Sequence, residues 1–308
     1  MPRLARIKNE CAIYHIMVRS ISEVDLFRED EDKIKYLDLI NQYKKTYLFK
    51  VYAYCLMSNH GHLIIDSNGT DISKVMHCIN LKYARYFNEK YKRHGHLFQD
   101  RFKSKIVENE RYLYALTIYI HNNPTDIYGY RYNPEKYEFS SLKSYITNKK
   151  DKFKVLDKNF INLMFNRDDK VTKNIYMRAV LRCDMDNLRE LDGEFDNEGT
   201  KYDSKRHIIK RNFSIKQVIN FICKRMNVTS ESIYIKSSRG VVNVKAIVVV
   251  FMRVFCNIGC EDICKVLGNI TQSRVSALFN VGSNLIIKSK IYGNILNDFL
   301  NLESRNLA

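Results

Sequence analysis

Apolar and polar positions change their spacing several times along the first 150 residues. "CAIYHIMVRS" is strand-like, and "LFKVYAYCLMS" is a long β-prone run. "HGHLIID", starting at His60, follows closely enough to pair antiparallel with it, and "SNGT" then supplies a turn. Between these, helical spacing predicts a helix over "DEDKIKYLDLINQYKKTY", whose acidic start suits a helix N-terminus. A second helix is expected over "DISKVMHCINLKYARYFNEKY", capped by Asp71. An alternating segment, "LFQDRFKSKIV", comes next. A helix then runs from about Asn109 through "ERYLYALTIYIHNN" to Pro124. The order β-α-β-β-α-β-α predicts an α+β domain, with helices packed on an antiparallel sheet.

Beyond residue 150 the pattern weakens. Residues 151–210 are charged and helical, and "DMDNLRELDGEFDNEGT" reads as a solvated linker. From Phe213 apolar periodicity returns in "SIKQVINFICKRMN", "VKAIVVVFMRVFCNI", "CEDICKVLG" and "TQSRVSALFNV", four expected helices of an all-α domain over 211–308. The last two, joined by a Gly-Asn turn, have helix-turn-helix length and punctuation. Val275 and Leu278 fit the buried face of the second helix, which turns Gln272, Ser273, Arg274 and Ser276 outward. Gln and Arg can make bidentate contacts to base edges. A generic helical hairpin is the competing reading.

Charge adds a partner. Lys+Arg 51 against Asp+Glu 34 leaves a net +17, which attracts a polyanion, nucleic acid first and an anionic membrane surface second. The longest apolar run, Ala246 to Met252, is too short to span a bilayer, and "MPRLARIKNE" lacks the apolar core of a signal peptide. A cytoplasmic, reduced protein is therefore expected. Cys256, Cys260 and Cys264 recur every four residues and read as small buried side chains of a helical region.

His-Gly-His occurs twice. His60 and His62 lie in a predicted strand, where residues i and i+2 share a face and both imidazoles can reach one ion. Two ordinary histidines on a solvated strand face explain that spacing equally well. His94 and His96 flank Gly95 in a charged stretch leaving a helix, where a turn gives them no common face. One turn of helix separates Tyr119 from Asn123 in "YIHNNP". Asn offers a neutral oxygen ligand and Tyr a phenol able to act as a nucleophile, although spacing alone does not select Tyr119 among 21 tyrosines. Arg101, Lys103 and Lys105 alternate with Phe102, Ser104 and Ile106, a basic row suited to a phosphate backbone or a merely solvated edge.

An ordered series of motifs, "YHIMVRS", "LFRE", "MSNHGHLII", "GHLFQDRFKSK", "RYLYALTIYIHNNP" and "FSSLKSY", resembles the REP-associated tyrosine transposases, a branch of the single-strand (HUH, IS200-like) transposases. The resemblance covers about half the chain. It implies a ferredoxin-like catalytic domain over 1–150, with His60 and His62 on a central strand holding Mg²⁺ or Mn²⁺. Asn123 would complete the metal shell, Tyr119 would be the nucleophile, and His94 and His96 would lie outside. It further implies a monomeric or homodimeric, nucleoid-associated bacterial enzyme that cleaves and rejoins single-stranded or hairpin DNA through a 5′-phosphotyrosine. Gly61 departs from the pattern, because the residue between the histidines is usually bulky and apolar. The C-terminal stretches "SSRGVVNVKAIVVVFMR" and "CEDICKVLGNITQSRVSALF" are similar to the DNA-binding domain of the replication initiator DnaA, without its full histidine-containing signature; duplex DNA is the partner expected there. Two other readings use the same features: a domesticated sequence-specific DNA-binding regulator, and an HUH-type nicking enzyme of replication or conjugation.

Overall fold

Ile13–Arg19 forms β1, buried on both faces over Ile13–Ile16, as a central strand of a covered sheet is. The computed structural model describes residues 9–21, 24–147, 149–157, 159, 170–183, 208–235, 241–268 and 270–306. The acidic stretch from residue 184 to 200 lies outside them, as does Asn269. Among the described residues the chain divides into two compact units. The first comprises residues up to Lys44 and from Leu48 to Ile208; the second comprises Lys45–Tyr47 and residues from Ile209 onward.

The first unit follows the expected order: β1, α1 (Asp30–Tyr47), β2 (Lys50–Leu56), β3 (His60–Asp66), α2 (Ile72–Lys90), β4 (Lys103–Ile106) and α3 (Glu110–Asn122). The strands make one sheet in the order β2-β3-β1-β4, antiparallel throughout. The fold class is therefore α+β, a four-stranded antiparallel sheet with helices, followed by a helical C-terminal region. Asp71 caps α2 by accepting from the Ser73 and Lys74 backbone N–H groups, and Asn109 caps α3 by accepting from Tyr112. The α1–α2 pair is tied by an aromatic cluster of Phe27, Tyr36 and Tyr83 and by the Tyr36 hydroxyl donating to Asn80 Oδ1.

Gly61 sits opposite Val18 on β1 and Leu56 on β2. A Cβ added there would come 2.7 Å from Leu56 Cδ2 and 3.4 Å from Val18 Cγ2. The space that a bulky residue would fill between the two histidines is already occupied by Leu56, which is fully buried. Packing on that face is complete without a side chain at 61.

Among the described residues this unit also contains the helices α4 (Leu142–Ile146) and α5 (Lys170–Leu181). α5 falls in the stretch expected to be charged and helical, and its Tyr176 and Val180 are buried against α3. His121 of α3 lies between the Tyr176 hydroxyl, 2.6 Å from Nδ1, and Ser141 Oγ, 2.7 Å from Nε2. Asn122 Nδ2 donates to the Val180 carbonyl at 2.6 Å. α5 therefore clamps the C-terminal end of α3.

Burial pushes the His121 imidazole down to about 3, so the folded chain refuses a proton that the unfolded chain accepts near 6.5. A depressed imidazole contributes fully to stability above pH 6.5 and progressively loses that contribution as pH falls towards 3. At pH 5 the loss is about 2 kcal/mol. Urea unfolding at pH 7 and pH 5 checks this: the parent should lose about 2 kcal/mol more than His121→Gln over that interval. Equal losses would mean that His121 titrates in the folded state.

The second unit contains α6 (Ile215–Met226), α7 (Val242–Phe255), α8 (Cys260–Leu267), α9 (Gln272–Lys288) and α10 (Ile295–Asn306). The first four match the expected helices, with α9 longer than its sequence signal; α10 was not foreseen. In α7 the run from Ala246 to Met252 is buried on all sides, as a central helix requires. Phe299 of α10 closes the core against Phe213, Phe221, Phe251 and Phe255, at ring separations of 4.9 to 5.5 Å. Gly282 marks the closest approach of α9 to α7: an added Cβ would lie 2.3 Å from the Ala246 carbonyl oxygen. Cys256, Cys260 and Cys264 are half-buried rather than buried, because they fall at the end of α7 and on α8, outside the core.

Candidate active site

Strand pairing decides which side chains share a face. His60 lies opposite Arg19, His62 opposite Met17, and His15 opposite both Ile64 and Lys105; Lys103 lies opposite Met17. Cross-strand partners point the same way, so His15, Arg19, His60, His62, Lys103 and Lys105 lie on one face. α3 runs over this face and brings Tyr119 and, at its end, Asn123. The Tyr119 ring stands edge-on to His62 with centroids 5.4 Å apart, and the two histidine rings are 5.1 Å apart. His62, Tyr119 and Asn123 are buried, and His60 is half-buried at the margin.

The hydrogen bonds assign the ring nitrogens. Asn59 Oδ1 lies 2.6 Å from His60 Nδ1 and takes that proton, which leaves Nε2 with its lone pair. His60 Nε2 faces Asn123 Oδ1 at 3.4 Å. The amide orientation of Asn123 is fixed independently, because its Nδ2 donates to the Tyr119 carbonyl at 2.9 Å. Two acceptors thus converge, and a cation is what such a pair accommodates. Burial is the main cause lowering the His60 imidazole from its usual range, opposed by its contact with Asn123. His62 is held well below that range, by burial first and then by the neighbouring His15 and His60. Both rings are therefore neutral at physiological pH, the form that ligates metal. Among the described residues no group of three or more His, Cys, Asp or Glu side chains converges as a metal site; here the third donor would be the amide oxygen of Asn123.

His15 belongs to the same cluster, and sequence reasoning passed over it. Its Nε2 lies 3.0 Å from His62 Nδ1, the rings stack at 5.2 Å, and it is fully buried. Burial, with Lys105 adding to it, pushes the His15 imidazole down to about 3. Were His62 to offer Nε2 to an ion, its Nδ1 would keep the proton and donate to His15 Nε2 at 3.0 Å, which would fix the tautomer and the ring angle. A lone histidine in an apolar strand reads as a core residue; only the register between β1 and β3 reveals the pairing. Replacing His15 by Phe, which keeps the ring and removes the acceptor, should weaken Mn²⁺ binding roughly 10- to 100-fold. Titration followed by the electron paramagnetic resonance of free Mn²⁺ reads this directly. Unchanged affinity would make His15 a packing residue only.

The remaining expected residues are placed unequally. The basic row is shorter than the alternation suggested: β4 begins at Lys103, and Arg101 lies before it in a bend where its N–H donates to Asp100 Oδ1. Residues before that bend cover the end of β1 differently, through a single Phe98–Ser20 bridge and the Gln99 N–H to the Arg19 carbonyl. Arg101 and Lys103 are exposed and Lys105 half-buried. His94 and His96 are exposed on either side of Gly95, whose φ of +90° is the turn geometry expected there. In the second unit Gln272, Ser273, Arg274 and Ser276 are all exposed at the start of α9, while Val275 and Leu278 are buried. No helix among the described residues is long and apolar enough to cross a membrane.

Residues 9–123 match the model of a family described as "Transposase IS200 like". The matched segment is less than half the chain, begins just before β1 and ends on Asn123, so it contains His15, His60, His62 and Tyr119. No curated protein matches the chain. A solved structure titled "Structure of the REP associates tyrosine transposase bound to a REP hairpin" is 17% identical, with a TM-score of 0.40 over 47% of this chain and 86% of that one.

Proposed function

We propose that this chain is a DNA transposase whose first unit cleaves and rejoins single-stranded or hairpin DNA through a tyrosine-linked intermediate. The family match over residues 9–123 supports a transposase role. The observation that carries the chemistry is the convergence of His60 Nε2 and Asn123 Oδ1 at 3.4 Å, next to His62 and one helical turn from Tyr119. That donor set, two neutral imidazoles and an amide oxygen, fits Mg²⁺ or Mn²⁺ with positions left for phosphate oxygens. When bound, such an ion polarises the scissile phosphate and offsets the charge that develops on it.

The chain's own residues do the rest. The Tyr119 oxygen attacks phosphorus, the new O–P bond forms, and the bond to the 3′ oxygen breaks. The phenol loses its proton and the leaving oxygen gains one. The products are a 5′-phosphotyrosine and a free 3′-hydroxyl. A 3′-hydroxyl attacking the link restores the phosphodiester, so rejoining needs no outside energy source. Tyr119 is only 3% exposed, packed against His62 and His15; the phenol must be uncovered before a strand can reach it. Lys103 and Lys105 share the histidine face, where a phosphate backbone would find positive charge. The experiment is to incubate the protein with hairpin DNA and Mn²⁺ and to look for an adduct that survives denaturation. Absence of any adduct across a panel of hairpins would overturn the catalytic reading.

The second unit is proposed to bind duplex DNA. The supporting observation is the exposed set Gln272, Ser273, Arg274 and Ser276 at the start of α9, the part of a recognition helix that meets base edges.

A further inference from the structure

Tyr128 and Tyr132 are the two most exposed large apolar side chains among the described residues, at 102% and 76%. A tyrosine ring offers a large flat surface with a polar tip, which suits it to contact a partner at an interface. Both lie on the loop that leaves Asn123, "NPTDIYGYRYNPEKY". This loop is a ladder of turns: Ile127 N–H donates to the Pro124 carbonyl, Tyr130 to Ile127, Asn133 to Tyr130, and Lys136 to Asn133. Gly129, at a φ of +88°, forms its apex. Tyr130 turns inward against Tyr137, rings 5.2 Å apart, and the Tyr137 hydroxyl donates to the Leu56 carbonyl at 2.6 Å. The loop is thus anchored to β2, and its construction holds Tyr128 and Tyr132 outward.

Its surroundings identify what meets them. Tyr128, Arg131, Tyr132, Asp126 and Asn122 line one cleft of about 1080 Å³. Asn122 is the neighbour of the proposed ligand Asn123. Asn123 Oδ1 lies 3.4 Å from His60 Nε2, and Asp126 closes the turn that Asn123 opens, so this end of the cleft adjoins the His60–Asn123 pair. The Arg131 guanidinium stands 5.9 Å from the Tyr132 ring centroid. Exposed rings with an arginine among them, on a chain of net charge +17, are the components with which proteins hold single strands by base stacking.

We propose that Tyr128 and Tyr132, with Arg131, form a stacking platform for unpaired bases of a DNA strand entering the His60–Asn123 site. The proposal rests on the catalytic reading above for the identity of the strand. It adds a residue-level binding surface for the bases flanking the cleaved phosphate.

The test compares a hairpin carrying single-stranded extensions on both ends with the same hairpin made blunt, by fluorescence anisotropy without divalent metal so that no cleavage intervenes. Tyr128→Ala and Tyr132→Ala should each weaken binding of the extended hairpin roughly fivefold or more and leave the blunt hairpin unchanged. Tyr128→Phe and Tyr132→Phe should restore binding, because stacking uses the ring and not the hydroxyl. Equal affinity of parent and alanine variants for the extended hairpin overturns the platform. So does equal weakening on both hairpins, or no preference of the parent for the extended one. The adduct assay separates this from the catalytic reading. Ring-dependent binding without any adduct leaves the platform standing and removes the chemistry, whereas an adduct with no ring dependence does the reverse.

Discussion

Tyr119→Phe is expected to abolish the denaturation-resistant DNA adduct and to slow strand cleavage by at least roughly 10³-fold. Phenylalanine preserves the edge-on contacts of ring 119 with His62 and His15, so packing and DNA binding should survive. What disappears is the oxygen proposed to form the bond to phosphorus. His60→Ala is the companion measurement. It removes one of the two converging acceptors while Lys103 and Lys105 stay in place, so cleavage should fail and most hairpin binding should persist. Gel analysis of the adduct and anisotropy of the same samples separate the two effects. An adduct from Tyr119→Phe would mean that another residue is the nucleophile. Loss of both cleavage and binding in His60→Ala would make the histidine pair structural.

The largest stability effect is expected in the second unit, at Gly282. In an isolated helix Gly→Ala stabilises by about 1 kcal/mol, because alanine restricts the unfolded chain. Here the added Cβ would stand 2.3 Å from the Ala246 carbonyl oxygen, 2.7 Å from its carbon and 2.8 Å from Val250 Cγ2. Two of those atoms are backbone of α7, which is buried all round and cannot step aside. The clash should outweigh propensity, and Gly282→Ala should destabilise the second unit by about 3 kcal/mol, at the upper end of overpacking costs. The chain has no tryptophan, so hydrogen exchange of peptides from α7 and α9 is the suitable probe. Faster exchange in both helices is the expected outcome; slower exchange would mean that the helices separate at little cost.

Much of this architecture is legible in the residue pattern, for identifiable reasons. The first unit is built from strands and helices with clean periods and strong caps, Asp71 and Asn109 among them, so its element order can be read directly. The pairing of His60 with His62 follows from strand period, and the nearness of Tyr119 and Asn123 from helical period. What the pattern hides is cross-strand register and long-range packing. His15 meets His62 only because β1 and β3 pair at a particular offset. α5 reads as charged and helical, and its packing is hidden until Tyr176 and Val180 are matched with His121 and Asn122, more than fifty residues earlier. Arg101 was expected on the basic strand because alternation continues through it, but the turn at Asp100 interrupts the ladder. The tyrosines at 128 and 132 are unremarkable among 21 until their exposure is known.

Gly61 and Leu56 share one volume beneath the histidine pair, and this makes their inheritance conditional. A lineage enlarges position 61 most easily after position 56 has become smaller, and restores position 56 most easily after 61 has shrunk back. In the opposite order each step forces the Leu56 side chain to shift. Related chains should therefore fall into two groups, small at 61 with large at 56 or the converse, with few intermediates between them. The unusual residue between the two histidines is then a record of which substitution came first, rather than a sign of weakened chemistry.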